Sequence, residues 1–276
     1  MKKHILFPTD FSDNAWSAAV YALKLFAEET CTFYFLHSLK MKVSTMSNIS
    51  NKLTKIMSEN AIKELTELKV MAENTNANAN HDFKIILSTD DLQIAIETVV
   101  KKYSINLVVM GTKGATKAKE LFFGSNTVQT IKRIKSCPVL IVPDEFDFEM
   151  PKQIAFATNF ERFYDDKELR LLKDMAALYN SEIRIVCVQH EGKLSDIQNY
   201  NCTMLETYLS DYEISFHFMP NYAKKTIEIN DFIEELNINM LAMVSYKHSF
   251  IQNIIKEPVI KKIGFHPMVP FLIIPE

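Results

Sequence analysis

The sequence predicts an α/β protein made of two tandem doubly wound domains, each an open five-stranded parallel sheet flanked by helices. Short apolar runs alternate with amphipathic helical patterns along the whole chain, which indicates alternating strands and helices. The strand runs are continuously apolar, as in a parallel sheet covered on both faces. The opening and the closing run of this pattern also each occur twice, which predicts a duplication.

The repeat sets the predicted domain boundary. Residues 5–11 (ILFPTDF) return as residues 154–160 (IAFATNF), and residues 137–143 (CPVLIVP) return as residues 269–275 (VPFLIIP). An acidic connector lies between the copies, bounded by Pro143 and Pro151. We therefore predict domains at residues 1–144 and 151–276, each of ordinary size for a single core.

In the first half we expect strands near residues 3–9, 31–38, 83–88, 105–110 and 138–142. The first helix is expected over residues 13–28 and the second over residues 50–72. The apolar positions of the second helix are expected to face the core: Leu53, Ile56, Met57, Ile62, Leu65 and Leu68. A third helix is expected after Thr89-Asp90, which are good cap residues, and a fourth from Ser125.

The second half repeats this order. We expect its strands near residues 152–158, 182–188, 214–219, 239–244 and 270–274. The closing strands of the halves are apolar, and an exposed apolar edge strand favours aggregation. We therefore expect them to pair antiparallel, so that the two domains form a pseudo-dimer within one chain. The sequence also leaves open that two chains form a homodimer.

Composition narrows the class of protein. The chain has 276 residues, 47% hydrophobic residues and a net charge of −3, which gives no basic face for nucleic acid or an anionic membrane. We find no signal-peptide pattern and no run approaching about 20 apolar residues. The four cysteines are scattered without a CxxC pair, as in reduced proteins. We therefore expect a cytoplasmic protein with neither nucleic-acid nor membrane partners.

Glycine is scarce in this chain, and its clustering is informative. Three of the five glycines, Gly111, Gly114 and Gly124, fall within fourteen residues, after an apolar run and before a helical pattern. A strand, a glycine loop and a helix N-terminus together form a typical phosphate site. Glycine suits it because it permits positive φ or close approach of a ligand. The alternative is that these glycines serve loop geometry alone.

The glycine spacing is Gly-x2-Gly-x9-Gly-Ser, which is neither a Walker A loop nor a dinucleotide fingerprint. It resembles the pattern after the fourth strand in ATP-binding members of the universal stress protein family. Residues 8–10 (PTD) and residues 35–38 (FLHS) match as well, and the resemblance extends over nearly the whole chain. It implies ATP, with or without Mg²⁺, and these cofactor-binding residues: Pro8, Thr9, Asp10, Ser38, Met110, Gly111, Gly114, Gly124, Ser125, Asn126 and Thr127.

The resemblance also implies individual roles. Asp10 would contact the adenine and ribose end, and the backbone of Ser38 would lie beside the adenine. The hydroxyls of Ser125 and Thr127 would add donors for phosphate oxygens. Each has a structural alternative: Asp10 as a helix-cap carboxylate, and Ser125 with Thr127 as ordinary capping residues. His37 is interpreted as a structural histidine. The lysines of the loop are interpreted as solvated rather than phosphate-bound: Lys113, Lys117 and Lys119.

The function predicted from this resemblance is ATP binding by the first domain, with a role in stress resistance or signalling. The sequence shows no catalytic base and no metal cage, so we expect slow ATP hydrolysis at most. The alternative is a structural or interaction module of the same fold that binds no nucleotide. A true enzyme, such as a nucleotidyl transferase, would need a catalytic signature that we do not find, and fold alone does not supply one.

The second half has a degenerate version of the motif, so we expect no ATP there. Asn159 stands where Asp10 does. Counted from the strand end, Ser245 and His248 replace Gly111 and Gly114. Counted back from the closing strand, Glu257 replaces Ser125 and would repel phosphate. The two neighbours of Glu257 also differ from the motif: Lys256 replaces Gly124, and Pro258 removes a backbone donor.

Overall fold

The computed structural model describes residues 2–40, 47–75, 77–112, 124–144, 146–189, 193–220, 225–246 and 268–276. The chain divides into two compact units, Met1–Phe146 and Asp147–Glu276. We call these unit one and unit two. In the described part of the chain, strands and helices alternate through both units, in agreement with the predicted fold class.

Unit one contains five parallel strands in the order β3-β2-β1-β4-β5. Its strands are β1 (Lys3–Pro8), β2 (Cys31–Ser38), β3 (His81–Ser88), β4 (Leu107–Gly111) and β5 (Val139–Val142). Its helices are α1 (Asp13–Leu25), α2 (Ser47–Thr75), α3 (Leu92–Tyr103) and α4 (Ser125–Arg133). β4 and β5 are buried along their whole length, which explains their continuously apolar sequence.

Unit two repeats the arrangement, with five parallel strands in the order β8-β7-β6-β9-β10. Its strands are β6 (Gln153–Ala157), β7 (Glu182–Gln189), β8 (Ile214–Pro220), β9 (Met240–Ser245) and β10 (Phe271–Pro275). Its described helices are α5 (Asp166–Tyr179), α6 (Asp196–Tyr208) and α7 (Lys225–Glu235). The strand order is therefore the same in both halves, which is what an internal duplication requires.

The strand order reverses beside the first strand of each unit. In unit one, chain order runs outward from β1 to β3 on one side and from β4 to β5 on the other. Loops leaving β1 and β4 therefore diverge and leave a crevice at the carboxyl ends of these strands. The fold thus places the residues after Pro8 and after Gly111 at the same edge of the sheet.

Helix α1 packs closely against the end of β4. It begins at Asp13, because the Ser12 side chain accepts a hydrogen bond from the backbone N–H of Ala15 and caps the helix. Asn14, the second residue of the helix, is buried, and a Cβ added at Gly111 would lie 2.4 Å from its Oδ1 atom. Gly111 therefore has a packing role, since a larger residue there would force the buried Asn14 side chain to shift.

The prediction for α2 is wrong about its buried face. The helix buries Ala61, Leu65 and Ala72, whereas four of the predicted core residues are exposed: Leu53, Ile56, Met57 and Ile62. Leu53 and Ile62 are nine residues apart, which is two and a half turns, so they point to opposite sides. The apolar residues are spread around the helix, and periodicity alone did not identify the stripe that meets the sheet.

We predict that Gly111→Ala lowers the free energy of unfolding by about 1–3 kcal/mol, because the new methyl group would overlap the Asn14 side chain. Urea denaturation of Gly111→Ala, Asn14→Ala and the double variant measures the coupling between the positions. The double variant should be more stable than the sum of the single effects implies. Additive losses would contradict a close contact.

We also predict an order of thiol reactivity. Burial raises the pKa values of Cys31 and Cys137 to about 12, and Cys187 is fully buried. Cys202 on α6 is half-buried. Since the thiolate is the nucleophile, iodoacetamide should modify Cys202 first in the folded protein and the other three only after unfolding. Peptide mass spectrometry of a time course measures this; early labelling of Cys137 would show that the β4–β5 region opens readily.

Candidate functional site

A crevice of about 520 Å³ lies at the carboxyl ends of β1 and β4 in unit one. It brings together ten of the eleven predicted cofactor-binding residues: Pro8, Thr9, Asp10, Ser38, Met110, Gly111, Gly124, Ser125, Asn126 and Thr127. The eleventh, Gly114, lies outside the described residues, as do the three loop lysines. The volume is within the range of small-molecule sites.

The turn after β1 holds Asp10 at the crevice. The backbone N–H of Phe11 donates to the Thr9 hydroxyl at 3.0 Å, and Phe11 adopts a left-handed conformation with φ 63°. The Oδ1 atom of Asp10 accepts from the backbone N–H of Ser12 at 3.2 Å and from its hydroxyl at 2.6 Å. Asp10 thus orients the serine that caps α1, and the predicted alternative of Asp10 itself as the cap is wrong.

The end of β2 forms a second wall of the crevice. The Nδ1 atom of His37 donates to the Thr9 carbonyl at 2.8 Å, and its ring lies 4.5 Å from the ring of Phe11. His37 therefore supports the β1 turn, in agreement with its interpretation as a structural histidine. The Ser38 hydroxyl donates to the carbonyl of Asp90 at 2.6 Å, which ties β2 to the loop that follows β3.

The start of α4 forms the opposite end of the crevice. Gly124 is the N-cap residue, so the N-cap position has no side chain with which to cap the helix. The first-turn N–H groups of a helix have no partner within the helix, and they carry partial positive charge. Ser125 and Asn126, the first two helical residues, are exposed and line the crevice. This end of the site therefore suits an anion.

Two details differ from the sequence prediction. Gly124 has φ −57° and ψ 150°, so its conformation is open to any L-residue, and among the described glycines none has positive φ. The Thr127 side chain is buried, and its hydroxyl donates to the Gly111 carbonyl at 3.0 Å. That hydroxyl joins α4 to β4 and is already engaged, so it is not the phosphate donor that the sequence predicted.

The structure adds residues that sequence reasoning missed. Lys40, Asp91 and Gln93 line the crevice, and Lys40 pairs with Asp91 at 2.5 Å. Asp91 is the N-cap position of α3, one residue after the predicted cap Thr89-Asp90. The sequence could have indicated Asp91 and Gln93, because a helix that follows a parallel strand starts at the carboxyl edge of the sheet, where the crevice lies.

Unit two repeats the β1 turn with the same hydrogen bonds. The N–H of Phe160 donates to the Thr158 hydroxyl at 3.0 Å, and that of Glu161 donates to Oδ1 of Asn159 at 3.2 Å. Phe160 has φ 54°, close to the value of its counterpart Phe11. Asn159 replaces Asp10 within an otherwise unchanged turn, so the change removes a charge and keeps the geometry.

Strand register changes the assignment of the Gly111 counterpart. Leu107 pairs with Ile5 and Met240 pairs with Ile154, which makes Leu107 and Met240 equivalent. Four residues further on, Val244 is then equivalent to Gly111, and Ser245 is equivalent to Thr112. The prediction that Ser245 replaces Gly111 is therefore wrong by one residue. His248, Lys256, Glu257 and Pro258 lie outside the described residues.

Between the β6 turn and α5, unit two has four residues more than unit one has before α1. The N-cap of α1 directly follows Phe11, whereas four residues, 161–164, lie between Phe160 and the N-cap Asp165. Arg162 and Tyr164 belong to this insertion. Asp165 and Glu168 form a capping box, which makes the start of α5 well defined. The insertion therefore places two large side chains at the carboxyl end of β6.

Arg162 is the centre of a cluster at this edge of unit two. Its guanidinium donates to both carboxylate oxygens of Glu168, at 2.7 and 2.9 Å. The guanidinium carbon lies 5.3 Å from the ring centre of Tyr164 and 5.1 Å from that of Tyr246. Both hydrogen bonds come from Nη2, and this ion pair and two cation–π contacts hold the arginine in place.

The two tyrosines of the cluster bond to the β6 turn. The Tyr164 hydroxyl shares a hydrogen bond with the Thr158 hydroxyl at 2.9 Å, and the Tyr246 hydroxyl donates to Asn159 at 2.8 Å. Burial raises the pKa of both phenols, so they stay neutral. Side chains of the protein itself thus contact the two residues that correspond to Thr9 and Asp10.

The described residues include neither a candidate metal site nor a helix that could span a membrane. No group of three or more His, Cys, Asp or Glu side chains there could hold a metal ion. Among the described helices, none is long and apolar enough to cross a membrane.

Comparison with known proteins is consistent with these observations. The chain is 26% identical over 159 residues to universal stress protein MJ0577 of Methanocaldococcus jannaschii, covering 51% of this chain and 95% of that protein. It is 28% identical over 143 residues to MJ0531 of the same organism, covering 51% and 81%. The fold resembles that of a universal stress protein from Archaeoglobus fulgidus over 99% of this chain and 98% of that one, with 17% identity and a TM-score of 0.70.

The family assignment rests on the sequence. The profile of the universal stress protein family matches residues 1–143, which is half of the chain and covers all the elements that form the crevice. The Archaeoglobus structure extends the likeness of fold, though not of chemistry, to the second half. This chain belongs to the universal stress protein family.

Proposed function

We propose that this protein binds ATP in the crevice of unit one, and that occupancy of this site serves a stress-response or signalling role in the cytoplasm. The observation that carries the proposal is the meeting of ten motif residues around one crevice that ends at a helix N-terminus whose N-cap residue is a glycine. The glycine pattern is the one that the sequence shares with ATP-binding family members. None of the four cysteines, all of which lie in the described part of the chain, forms a disulfide, which favours a reducing compartment.

The phosphates belong at the start of α4. The backbone N–H groups of Ser125 and Asn126 and the Ser125 hydroxyl supply donors there, and the helix dipole favours negative charge. Gly124, the N-cap, has no side chain to occupy the space in front of these donors. Mg²⁺ would be carried mainly by the phosphates, as is common for this ion.

The nucleoside belongs at the other end of the crevice, between the β1 turn and the end of β2. Asp10 is exposed there with its Oδ1 held by Ser12, so its carboxylate is oriented before a ligand arrives. Ribose hydroxyls are donors, and a carboxylate is a strong acceptor for them. The backbone around Ser38, fixed through Asp90, would lie beside the base.

We propose that unit two binds no ATP at the corresponding edge. A nucleotide there would have to displace Tyr246 from Asn159 and Arg162 from Glu168, and both pairs are hydrogen-bonded. Val244 also has a side chain where Gly111 has none. These observations favour the alternative function, a structural module without nucleotide, for unit two alone.

We predict one ATP site per chain in titration calorimetry, because the Arg162 cluster occupies the corresponding edge of unit two. Nucleotide that co-purifies with the protein should be removed by denaturation and refolding first, and its identity determined by chromatography. A stoichiometry of two would contradict the assignment of ATP to unit one alone.

We predict that Gly124→Val abolishes ATP binding without unfolding the protein. The backbone conformation at this position suits valine, so the loss would come from the side chain in front of the α4 N–H groups. Calorimetry measures the affinity, and a thermal melt checks the fold. Unchanged affinity would remove this helix start from the site.

Ser125→Ala should weaken ATP binding by about 1 kcal/mol for one net hydrogen bond, or by more if the partner is charged. Ser245→Ala is the matched control in unit two, because its buried hydroxyl has no hydrogen-bond partner among the described residues. The control should leave ATP affinity unchanged. Equal losses in the two variants would show that the effect is not local to unit one.

A further inference from the structure

Helix α2 has an exposed apolar surface that the proposed function does not use. Six large apolar side chains on it are at least 40% exposed. Ile62 lies on the opposite side of the helix from Leu53, and the other five form two groups. We call Leu53, Ile56 and Met57 the N-terminal patch, and Val70 and Met71 the C-terminal patch. Leu53 and Met71 are eighteen residues apart, which is five full turns, so the two patches lie along the same side of the helix.

The charges of α2 are segregated between its two ends. Residues 47–58 contain two lysines, Lys52 and Lys55, and no acidic residue, a net charge of +2. Residues 64–75 contain three glutamates (Glu64, Glu67 and Glu73) against one lysine (Lys69), a net charge of −2. The segment between them, residues 59–63, is neutral, with Glu59 and Lys63.

This arrangement is unfavourable for an isolated helix. The macrodipole favours acidic residues near the N-terminus and basic residues near the C-terminus, whereas α2 has no acidic residue in its first turn and no basic residue in its last. Three i,i+4 pairs offset part of the cost: Lys55–Glu59, Lys63–Glu67 and Lys69–Glu73. The side chains of these pairs are exposed, so a partner that contacts α2 would meet the segregated charges.

We propose that α2 is a dimerisation surface that pairs antiparallel with α2 of a second copy of this chain. A two-fold axis at the middle of the helix would place the N-terminal patch of each copy on the C-terminal patch of the other. The same rotation places the +2 end on the −2 end, twice in each dimer, and opposes the two helix dipoles. Such an interface is self-complementary and closes after two subunits.

Charge reversal tests this arrangement. The variant Lys52→Glu/Lys55→Glu makes both ends of the helix acidic, and Glu67→Lys/Glu73→Lys makes both ends basic. The first variant replaces the Lys55–Glu59 pair with like charges, and the second does the same to Lys63–Glu67 and Lys69–Glu73. Each variant also moves charge in the direction that the helix dipole favours, which offsets this loss, so thermal melts should show an intact fold. Lys167→Glu/Arg170→Glu on α5 is the control, because both residues are exposed and lie on another helix.

Sedimentation velocity over a range of concentrations measures the result. We expect the wild type and the control to dimerise, and each α2 variant to dimerise about tenfold or more weakly, since opposite charges have become like charges. An equimolar mixture of the two variants should form a heterodimer, because both ends are then complementary again. A wild type that stays monomeric, reversals that leave the dimer unchanged, or a mixture without heterodimer would each overturn the proposal.

Discussion

The reversal of strand order beside β1 is the constraint on which the rest of unit one depends. Because β2 and β4 lie on opposite sides of β1, the segments that leave these strands diverge, and the crevice opens at their carboxyl ends. Close packing makes this edge narrow: α1 rests on Gly111 through Asn14, and the Thr127 hydroxyl joins α4 to the Gly111 carbonyl. Gly111, which has no Cβ, therefore lies where both helices contact the end of β4. The first turn of α4, with Gly124 as its N-cap, faces the crevice.

Unit two has the same strand order, but the residue equivalent to Gly111 and the segment before its first helix differ. Its strand order and the Thr-Asx-Phe turn are kept, including the left-handed Phe160. Val244, one residue before the end of β9, stands where Gly111 ended β4, and four extra residues precede α5. Arg162 then joins Glu168, Tyr164 and Tyr246 into one cluster, so side chains of the unit itself contact the turn that follows β6. Duplication preserved the architecture, and a few substitutions changed the chemistry.

The crevice and helix α2 illustrate two uses of charge and polarity at a surface. In the crevice, the N-cap residue at the positive end of α4 is a glycine without a side chain, which suits an anionic ligand. On α2, side-chain charges oppose the helix dipole, and apolar side chains accompany them in the open. Neither arrangement improves the stability of the helix that has it. Each becomes favourable only when something else binds, which is the usual physical reason for such a departure.

The sequence by itself determined the fold class, the duplication and the residues that meet at the crevice, because continuously apolar strands, repeated motifs and scarce glycines are local signals. It could not determine which face of α2 is buried, since apolar residues surround that helix and only contact with the sheet selects Leu65 over Leu53. It could not show that Thr127 is engaged by Gly111, that Gly124 has an ordinary φ, or that Val244 is the true counterpart of Gly111. It also missed Lys40 and Gln93 at the crevice and the Arg162 cluster. These depend on strand register and on side chains distant in sequence, which only the tertiary structure brings together.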